Sequence, residues 1–425
     1  MKFKLRPLER KWVLYDVGNS AFTLLVSTIM PIYFNTLAGS QGLSDVDYLA
    51  YWGYATSIST IIVALCGPIF GTLSDFPGWK KRLFSLSVLV GALGCAVLGM
   101  MSSWLWFLVL FVLAKSAYSV SLVLYDSMLT DVTEPERMDK VSAHGYAWGY
   151  IGSCIPFVLS LVLVLFYEPM GLSVGTAMML AFLLIAVWWV LLSVPIWRSY
   201  EQKHSLARQR ERGDGTFRRL GRVFSELARD KKVLLFLVAF FFYIDGVYTI
   251  IDMATAYGTA LGLDTTGLLL ALLVTQIVAF PAALTFGRLT GRFSPDRLIL
   301  VCIGAYFLIT LYGMMMQQVY QFWILAVCVG IFQGAVQAMS RAYFARIIPP
   351  EKSGEYFGIY DICGKGASFL GTTMVSAVSQ VSGSVNLGVG ALSVMFVLGG
   401  VFFVLATRSR RTEERARAGG LGEVC

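Results

Sequence analysis

The sequence predicts an all-α integral membrane protein with twelve transmembrane helices in two pseudo-symmetric six-helix bundles. Three observations predict this fold class. The 425 residues are 57% hydrophobic and only 14% charged, with a mean hydropathy of +0.69. Apolar runs of roughly 18 or more residues, long enough to cross a bilayer as a helix, recur along nearly the whole chain. The basic residues fall in alternate loops, which indicates an even number of spans.

The apolar runs define the twelve predicted spans. They cover residues 12–38, 47–73, 83–102, 104–130, 141–167, 172–195, 233–258, 264–287, 298–317, 321–345, 354–381 and 386–407. The runs do not alternate polar and apolar residues, as the strands of a membrane β-barrel do. Lipid offers no hydrogen-bond partner to a backbone, so each run is expected to be helical.

The net charge of +8 is distributed as in a membrane protein rather than a nucleic-acid-binding protein. Apart from Lys115 and Lys365, the lysines and arginines lie at the amino end, in alternate loops, at helix ends beside those loops or in the tail. The intervening loops, for example 39–47 and 258–266, carry none. The positive-inside rule therefore predicts that both termini are cytoplasmic, and no nucleic-acid partner is expected.

A change in composition divides the chain. Residues 198–232 are basic and polar, which is typical of a cytoplasmic linker. The linker separates an N-terminal bundle, 1–197, from a C-terminal bundle, 233–407, and a cytoplasmic tail follows at 408–425. His204 lies in this linker and is expected to be solvated.

The first cytoplasmic loop of each half carries a related motif, which suggests an internal repeat. The first copy is GTLSDFPGWKKRL, Gly71 to Leu83; the second, Gly287 to Leu298, has Gly291 in place of Asp75. Its glycines permit a tight turn and a close helix approach, and Asp75 suits helix-end N–H groups or a basic partner. An ordinary basic loop is the alternative. The predicted cytoplasmic gate comprises Gly71, Asp75, Gly78, Lys80, Arg341, Arg346 and Glu355.

Polar residues also lie inside the predicted spans, where charge is costly and indicates a functional site. The predicted substrate or proton site comprises Asp16, Asn19, Lys115, Asp126, Asp245, Asp252, Gln337, Asp361 and Lys365. Asp245 and Lys115 lie near mid-depth, where an acid and a base suit a zwitterion. Alternatively, Asp245 binds a proton that drives transport. A structural ion pair, such as Asp361 with Lys365, is the third interpretation.

Three stretches resemble a known family. Gly71, Leu73, Asp75, Gly78, Lys80 and Leu83 match the loop signature of the major facilitator superfamily, although Phe76 and Trp79 replace its usual arginines. WVLYDVGNSAF, from Trp12, and the stretch Ser340–Gly371 resemble the vacuole-effluxer branch, related to autophagy-linked vacuolar amino-acid exporters. The short outer loops look like those of bacterial members. The resemblance implies a secondary transporter, with amino-acid efflux known for fungal members.

The sequence as a whole predicts a secondary active transporter that moves a small organic solute, with an amino acid suggested by the resemblance, by proton-coupled alternating access. A lipid, drug or sugar carrier of the same fold is one alternative, and a non-transporting sensor or scaffold is another. The sequence has no Walker loop, zinc signature or dinucleotide turn, so neither an enzyme nor a cofactor is expected. The expected partners are a small-molecule substrate, protons and the lipid bilayer. The expected location is a bacterial plasma membrane, or a vacuolar membrane in a eukaryote.

Overall fold

The computed structural model describes residues 3–43, 45–206, 225–227, 229–260 and 265–420, except for the side chains of 45–50, 255–256, 259–260, 265–266, 269, 365–369 and 410–420. Throughout these residues the regular structure is helical. Eleven helical segments of the described chain are long and apolar enough to cross a membrane. The remaining predicted span, 354–381, corresponds to the helix Ser353–Ser382, which contains some of the undescribed side chains.

The first of two compact units comprises Met1–Arg210 and Pro350–Gly358. Its helices are α1 (Pro7–Ser27), α2 (Ile29–Ser40), α3 (Asp45–Ser74), α4 (Trp79–Leu98), α5 (Trp104–Ser127), α6 (Leu129–Val132), α7 (Met138–Leu165) and α8 (Val174–Ser199). The predicted first span is thus broken at Thr28. Pro31 explains the break, because proline has no N–H to donate to the carbonyl of Ser27 and its ring collides with that carbonyl.

Small residues bring the helices of this unit together. A β-carbon at Gly94 of α4 would lie 2.9 Å from the Ala114 side chain of α5, and one at Gly91 would lie 2.6 Å from the Trp189 ring of α8. Lipid tails are as apolar as the side chains, so helices in a bilayer associate through close packing of this kind. Within the same unit, α1 packs against α7 and α8.

The second compact unit comprises Glu211–Pro349 and Ile359–Cys425. Its helices are α9 (Lys231–Ala260), α10 (Thr265–Leu289), α11 (Pro295–Met314), α12 (Val319–Ile347), α13 (Ser353–Ser382), α14 (Val385–Ala391) and α15 (Ser393–Gly420), with a 3₁₀ turn at Pro350–Lys352. The helix α13 therefore begins in the first unit and continues in the second.

Four helix pairings recur in the two units. In each unit the first span packs on the sixth, the second on the fourth, and the third on both the fourth and the sixth. This correspondence fits the internal repeat suggested by the loop motifs. The domain boundaries at 197, 232 and 407 stay predictions: residues 207–224 of the linker lie outside the described residues, and α15 continues beyond 407 to Gly420.

Candidate functional site

A buried cluster of charges occupies one end of the first unit. Its members are Asp75, Lys80 and Asp131, here called the Lys80 cluster, and their side chains are at most 1% exposed. Lys80 Nζ lies 3.8 Å from Asp75 Oδ1 and 3.8 Å from Asp131 Oδ2. The turn from α3 into α4 brings Asp75 and Lys80 together. Gly78 makes that turn possible, because its φ of +77° lies in the left-handed region that favours glycine.

Asp75 caps the first turn of α13. Its Oδ1 accepts a hydrogen bond of 2.8 Å from the N–H of Gly354, and its Oδ2 accepts one of 3.0 Å from the N–H of Glu355. Lys80 donates a 2.8 Å hydrogen bond to the hydroxyl of Ser353, the first residue of α13. The first N–H groups of a helix have no acceptor within the helix, and a carboxylate there is also favoured by the helix dipole.

Glycines allow α3 and the start of α13 to touch backbone to backbone. A β-carbon at Gly71 would overlap the carbonyl group of Gly354, and one at Gly358 would lie 2.8 Å from Pro68 Cα. Real β-carbons do not come this close to backbone atoms. The contact between α3 and the segment Pro350–Gly358 therefore requires glycine on both sides.

The surroundings of Asp75 raise the pKa of its carboxyl towards neutral pH. Burial raises the pKa of this carboxyl to about 7, because desolvation outweighs the opposing attraction of Lys80, and nearby Glu355 raises it further. The two N–H hydrogen bonds act in the opposite direction. Asp75 is thus a titratable group at the contact between the α3–α4 loop and α13.

We expect the contact between Asp75 and α13 to weaken as the pH rises from about 4 to about 7. A carboxyl whose pKa is raised in the docked state holds its proton more tightly there than when solvated, so docking is most stable at low pH and loses stability towards pH 7. Amide hydrogen exchange at Gly354 and Glu355, corrected for the intrinsic rate at each pH, measures this. Asp75→Asn should remove the dependence, and protection that increases with pH would contradict it.

The segment Tyr200–Leu206, here called the strap, follows α8 and binds Asp131. The hydroxyl of Tyr200 donates to Asp131 Oδ2 at 2.5 Å. The backbone N–H of His204 donates to Asp131 Oδ1 at 2.9 Å, and His204 Nδ1 lies 2.9 Å from the same oxygen. The expectation that His204 is solvated was therefore wrong: its ring is 37% exposed but bound to a buried carboxylate.

The strap also binds the backbone of the α3–α4 loop. The side chain of Gln202 accepts from the N–H of Gly78 at 3.0 Å and donates to the carbonyl of Ser74 at 3.0 Å. The N–H of Leu206 donates to the carbonyl of Asp75 at 2.9 Å. One short segment thus binds both elements that carry the acids of the Lys80 cluster.

In the second unit, Asp245 of α9 is fully buried. Its Oδ1 accepts a 3.0 Å hydrogen bond from the N–H of Gly371 and a 3.3 Å hydrogen bond from the hydroxyl of Thr249. Among the described residues, its Oδ2 has no hydrogen-bond partner. The absence of a side chain at Gly371 allows this approach, since a β-carbon there would overlap the Thr249 hydroxyl.

A cavity of about 120 Å³ lies next to Thr249, within the second unit. Most of its lining is apolar, and the polar side chains include Thr249, Tyr257, Thr275, Gln276 and Gln333. Gln276 Oε1 is buried and lacks a hydrogen-bond partner among the described residues. The cavity therefore combines an apolar wall with a free acceptor.

The other predicted site residues are divided between the units. In the first unit, Asn19 donates to the carbonyl of Tyr15 at 3.0 Å and lies 3.4 Å from Asp16 Oδ1. Lys115 Nζ lies 5.6 Å from the centroid of the Phe111 ring, and Asp126 is half-buried.

Of the predicted residues in the second unit, Arg341 is buried, Arg346, Gln337 and Asp361 are half-buried, and Asp252 is exposed; the Lys365 side chain lies outside the described residues. The predicted gate set is divided as well: Gly71, Asp75, Gly78, Lys80 and Glu355 belong to the first unit, while Arg341 and Arg346 belong to the second.

Comparisons with known sequences agree with one another. The family model described as "Vacuole effluxer Atg22 like" matches residues 43–135 and 130–416. The chain is 38% identical over 410 residues to the uncharacterized MFS-type transporter YxiO of Bacillus subtilis, covering 95% of this chain and 96% of that one. It is 22% identical over 436 residues to autophagy-related protein 22 of Coccidioides immitis, covering 83% and 72%.

Comparison with solved structures gives the fold. The crystal structure of the E. coli fucose:proton symporter FucP superposes with a TM-score of 0.71 at 15% identity, covering 94% of this chain and 97% of that one. The human organic anion transporter MFSD10 superposes with a TM-score of 0.66 at 13% identity, covering 93% and 99%. The predicted fold class is confirmed: this is the major facilitator fold.

Proposed function

We propose that this chain, which belongs to the Atg22-like vacuole effluxer family, moves a small organic solute with a protonated amine by proton-coupled alternating access. As a membrane transporter of the major facilitator type, it is not an enzyme. An amino acid is the first candidate solute. We place the protein in a bacterial plasma membrane with both termini cytoplasmic; the fungal relatives fit a vacuolar membrane as the alternative.

Buried Asp245 is the observation on which this proposal depends. A buried carboxylate oxygen without a hydrogen bond is costly, and more so inside a membrane span, so we expect it to serve function. Asp245 Oδ2 and Gln276 Oε1, which have no hydrogen-bond partner among the described residues, are both acceptors, so the partner that each lacks there is a donor. An organic ammonium supplies such donors, and a proton on Asp245 is the coupling alternative. The apolar wall of the cavity suits an apolar side chain on the same solute.

We assign the Lys80 cluster to the cytoplasmic gate. Asp75 and Lys80 hold the first turn of α13 against α3, through hydrogen bonds to Gly354, Glu355 and Ser353. Release of that turn is the step that would open this end of the protein. The positive-inside pattern supports the cytoplasmic side, since the basic residues Lys81 and Arg82 directly follow Lys80 in the chain.

Counterflow in proteoliposomes tests the proposed function. We expect saturable exchange of amino acids with apolar side chains, and net uptake or release that responds to an imposed pH gradient. Exchange of lipids, drugs or sugars alone would support another carrier of the same fold. If none of the amino acids, lipids, drugs and sugars shows saturable exchange, the result would favour a sensor or scaffold.

Asp245→Asn is expected to abolish pH-dependent transport, because the amide cannot gain or lose a proton and cannot neutralise an ammonium. Gradient-driven transport and counterflow, each measured between pH 5 and 8, separate the two roles. Loss of gradient response with retained exchange indicates the proton site, and loss of both indicates the solute site. Asp230→Asn is the matched control, since Asp230 precedes α9 and pairs with Lys232 at 3.7 Å. Transport unchanged at every pH would remove Asp245 from the mechanism.

A further inference from the structure

We propose that the strap is a working part of the gate, in which Tyr200 and His204 are positioning residues that hold Asp131 and, through it, Lys80. The proposal rests on the assignment of the Lys80 cluster to the gate. It makes the start of the linker a component of the first unit rather than a passive connection between two bundles.

Asp131 depends on the strap for most of its hydrogen bonds. Its carboxylate is 1% exposed and meets the Tyr200 hydroxyl, the His204 N–H, the His204 ring and the Lys80 ammonium. Three of these four contacts come from the strap. Lys80 alone would leave Asp131 poorly satisfied, because the same ammonium also serves Asp75. A buried charge of this kind requires a nearly complete set of partners.

Tyr200 is suited to this task because its hydroxyl remains a donor. Burial and the neighbouring carboxylate of Asp131 both raise the pKa of Tyr200 well above its ordinary value. The hydroxyl consequently keeps its proton and donates it in the hydrogen bond to Asp131 Oδ2. Phenylalanine at this position would preserve the packing and remove only the donor.

A chain of contacts leads from the strap to α13. The strap holds Asp131, Asp131 lies 3.8 Å from the ammonium of Lys80, and that ammonium donates to Ser353 at the start of α13. Gln202 and Leu206 fix the strap to the loop that carries Asp75. The two acids that share Lys80 are therefore both held by the strap, Asp131 through its carboxylate and Asp75 through its backbone carbonyl. Displacement of the linker, by a partner or by a movement, would therefore weaken the contacts that hold the start of α13.

Hydrogen exchange of the full-length protein in lipid nanodiscs tests the proposal without a transported solute. The amides of Gly354 and Glu355 lie in the first turn of α13, so their protection comes from Asp75 and not from the helix itself. We expect His204→Ala and Tyr200→Phe each to accelerate exchange at these amides about tenfold, which corresponds to about 1.4 kcal/mol. Lys203→Ala is the matched control within the strap, because Lys203 is exposed. In this variant the amides of Gly354 and Glu355 should exchange at the wild-type rate.

Two further comparisons distinguish positioning from general loosening. His204→Asn retains a donor near the place of Nδ1 and should restore protection. His204→Ala combined with Asp131→Asn should accelerate exchange by less than the product of the single effects, because both changes break the same contact.

Wild-type exchange in His204→Ala, failure of the asparagine rescue, or equal acceleration within α7 would each overturn the proposal. Because hydrogen exchange needs no substrate, it tests the proposal about the strap separately from the proposed function. Failure of the proposed function would appear instead as absent counterflow by the wild-type protein.

Discussion

Replacing Lys80 with methionine should lower the free energy of unfolding by about 3–5 kcal/mol, the usual cost of removing one partner from a buried ion pair. Methionine fills much of the same space but leaves Asp75 and Asp131 buried without their shared cation. The loss should be largest at alkaline pH. It should shrink in acid, because Asp75, whose pKa is raised by burial to about 7, takes up a proton there and no longer needs a cation. Thermal unfolding of the purified protein, followed from acid to alkaline pH, measures both the loss of stability and its dependence on pH.

The control for this change is Arg82→Met, which removes an equal charge from an exposed position two residues further along α4. The double variant Lys80→Met with Asp131→Asn should recover part of the loss, because it removes one of the two uncompensated carboxylates. Equal destabilisation by the Lys80 and Arg82 variants would show that the pairing of Lys80 with the two acids contributes no stability.

Gly71→Ala should separate the segment Pro350–Gly358 from α3. The added methyl group would overlap the carbonyl of Gly354, and two backbones cannot yield as a flexible side chain can. Overpacking of this kind costs about 1–3 kcal/mol. That cost is enough to accelerate hydrogen exchange at the amides of Gly354 and Glu355 by about tenfold or more. In transport assays, we expect slower exchange because this end no longer closes fully.

Gly53→Ala is the control within the same helix, because a β-carbon there would have no described atom within 4 Å apart from its chain neighbours and the backbone of its own helix. It should leave exchange at Gly354 unchanged. Gly358→Ala approaches the same contact from the other side, where Pro68 Cα is in the way, and should reproduce the Gly71 result. Wild-type protection in both contact variants would contradict the proposed closure.

The architecture could be predicted because the bilayer imposes it. A long apolar run has to satisfy its backbone internally, so run length and loop charge are sufficient to define the spans and their repeat. The family-like stretch from Trp12 has a plain physical explanation. Trp12 donates to the carbonyl of Tyr125, the Tyr125 hydroxyl donates back to the carbonyl of Trp12, and Tyr15 meets Ser121 at 2.7 Å. Much of that motif fixes α1 against α5.

The partners in the charged cluster were harder to predict. The loop motif identified Asp75 and Lys80 as functional candidates, and its glycines indicated a close approach. It did not identify Asp131, which lies beyond the next two helices, or the strap, which lies about 70 residues further on. Hydropathy and spacing record which residues avoid lipid, but not which polar atoms meet after folding. A histidine in a basic linker therefore looks like any other solvated residue.

The arrangement of the strap also sets practical limits on splitting this protein into separately expressed halves. A cut at the predicted end of the first bundle, residue 197, would leave the acceptor Asp131 on one polypeptide and its donors Tyr200 and His204 on the other. A cut after Leu206 keeps that set on one chain. The capping carboxylate Asp75 and the amides that it caps are separated by either cut. Reassociation of the two fragments would thus have to form the cap of α13 as an intermolecular contact.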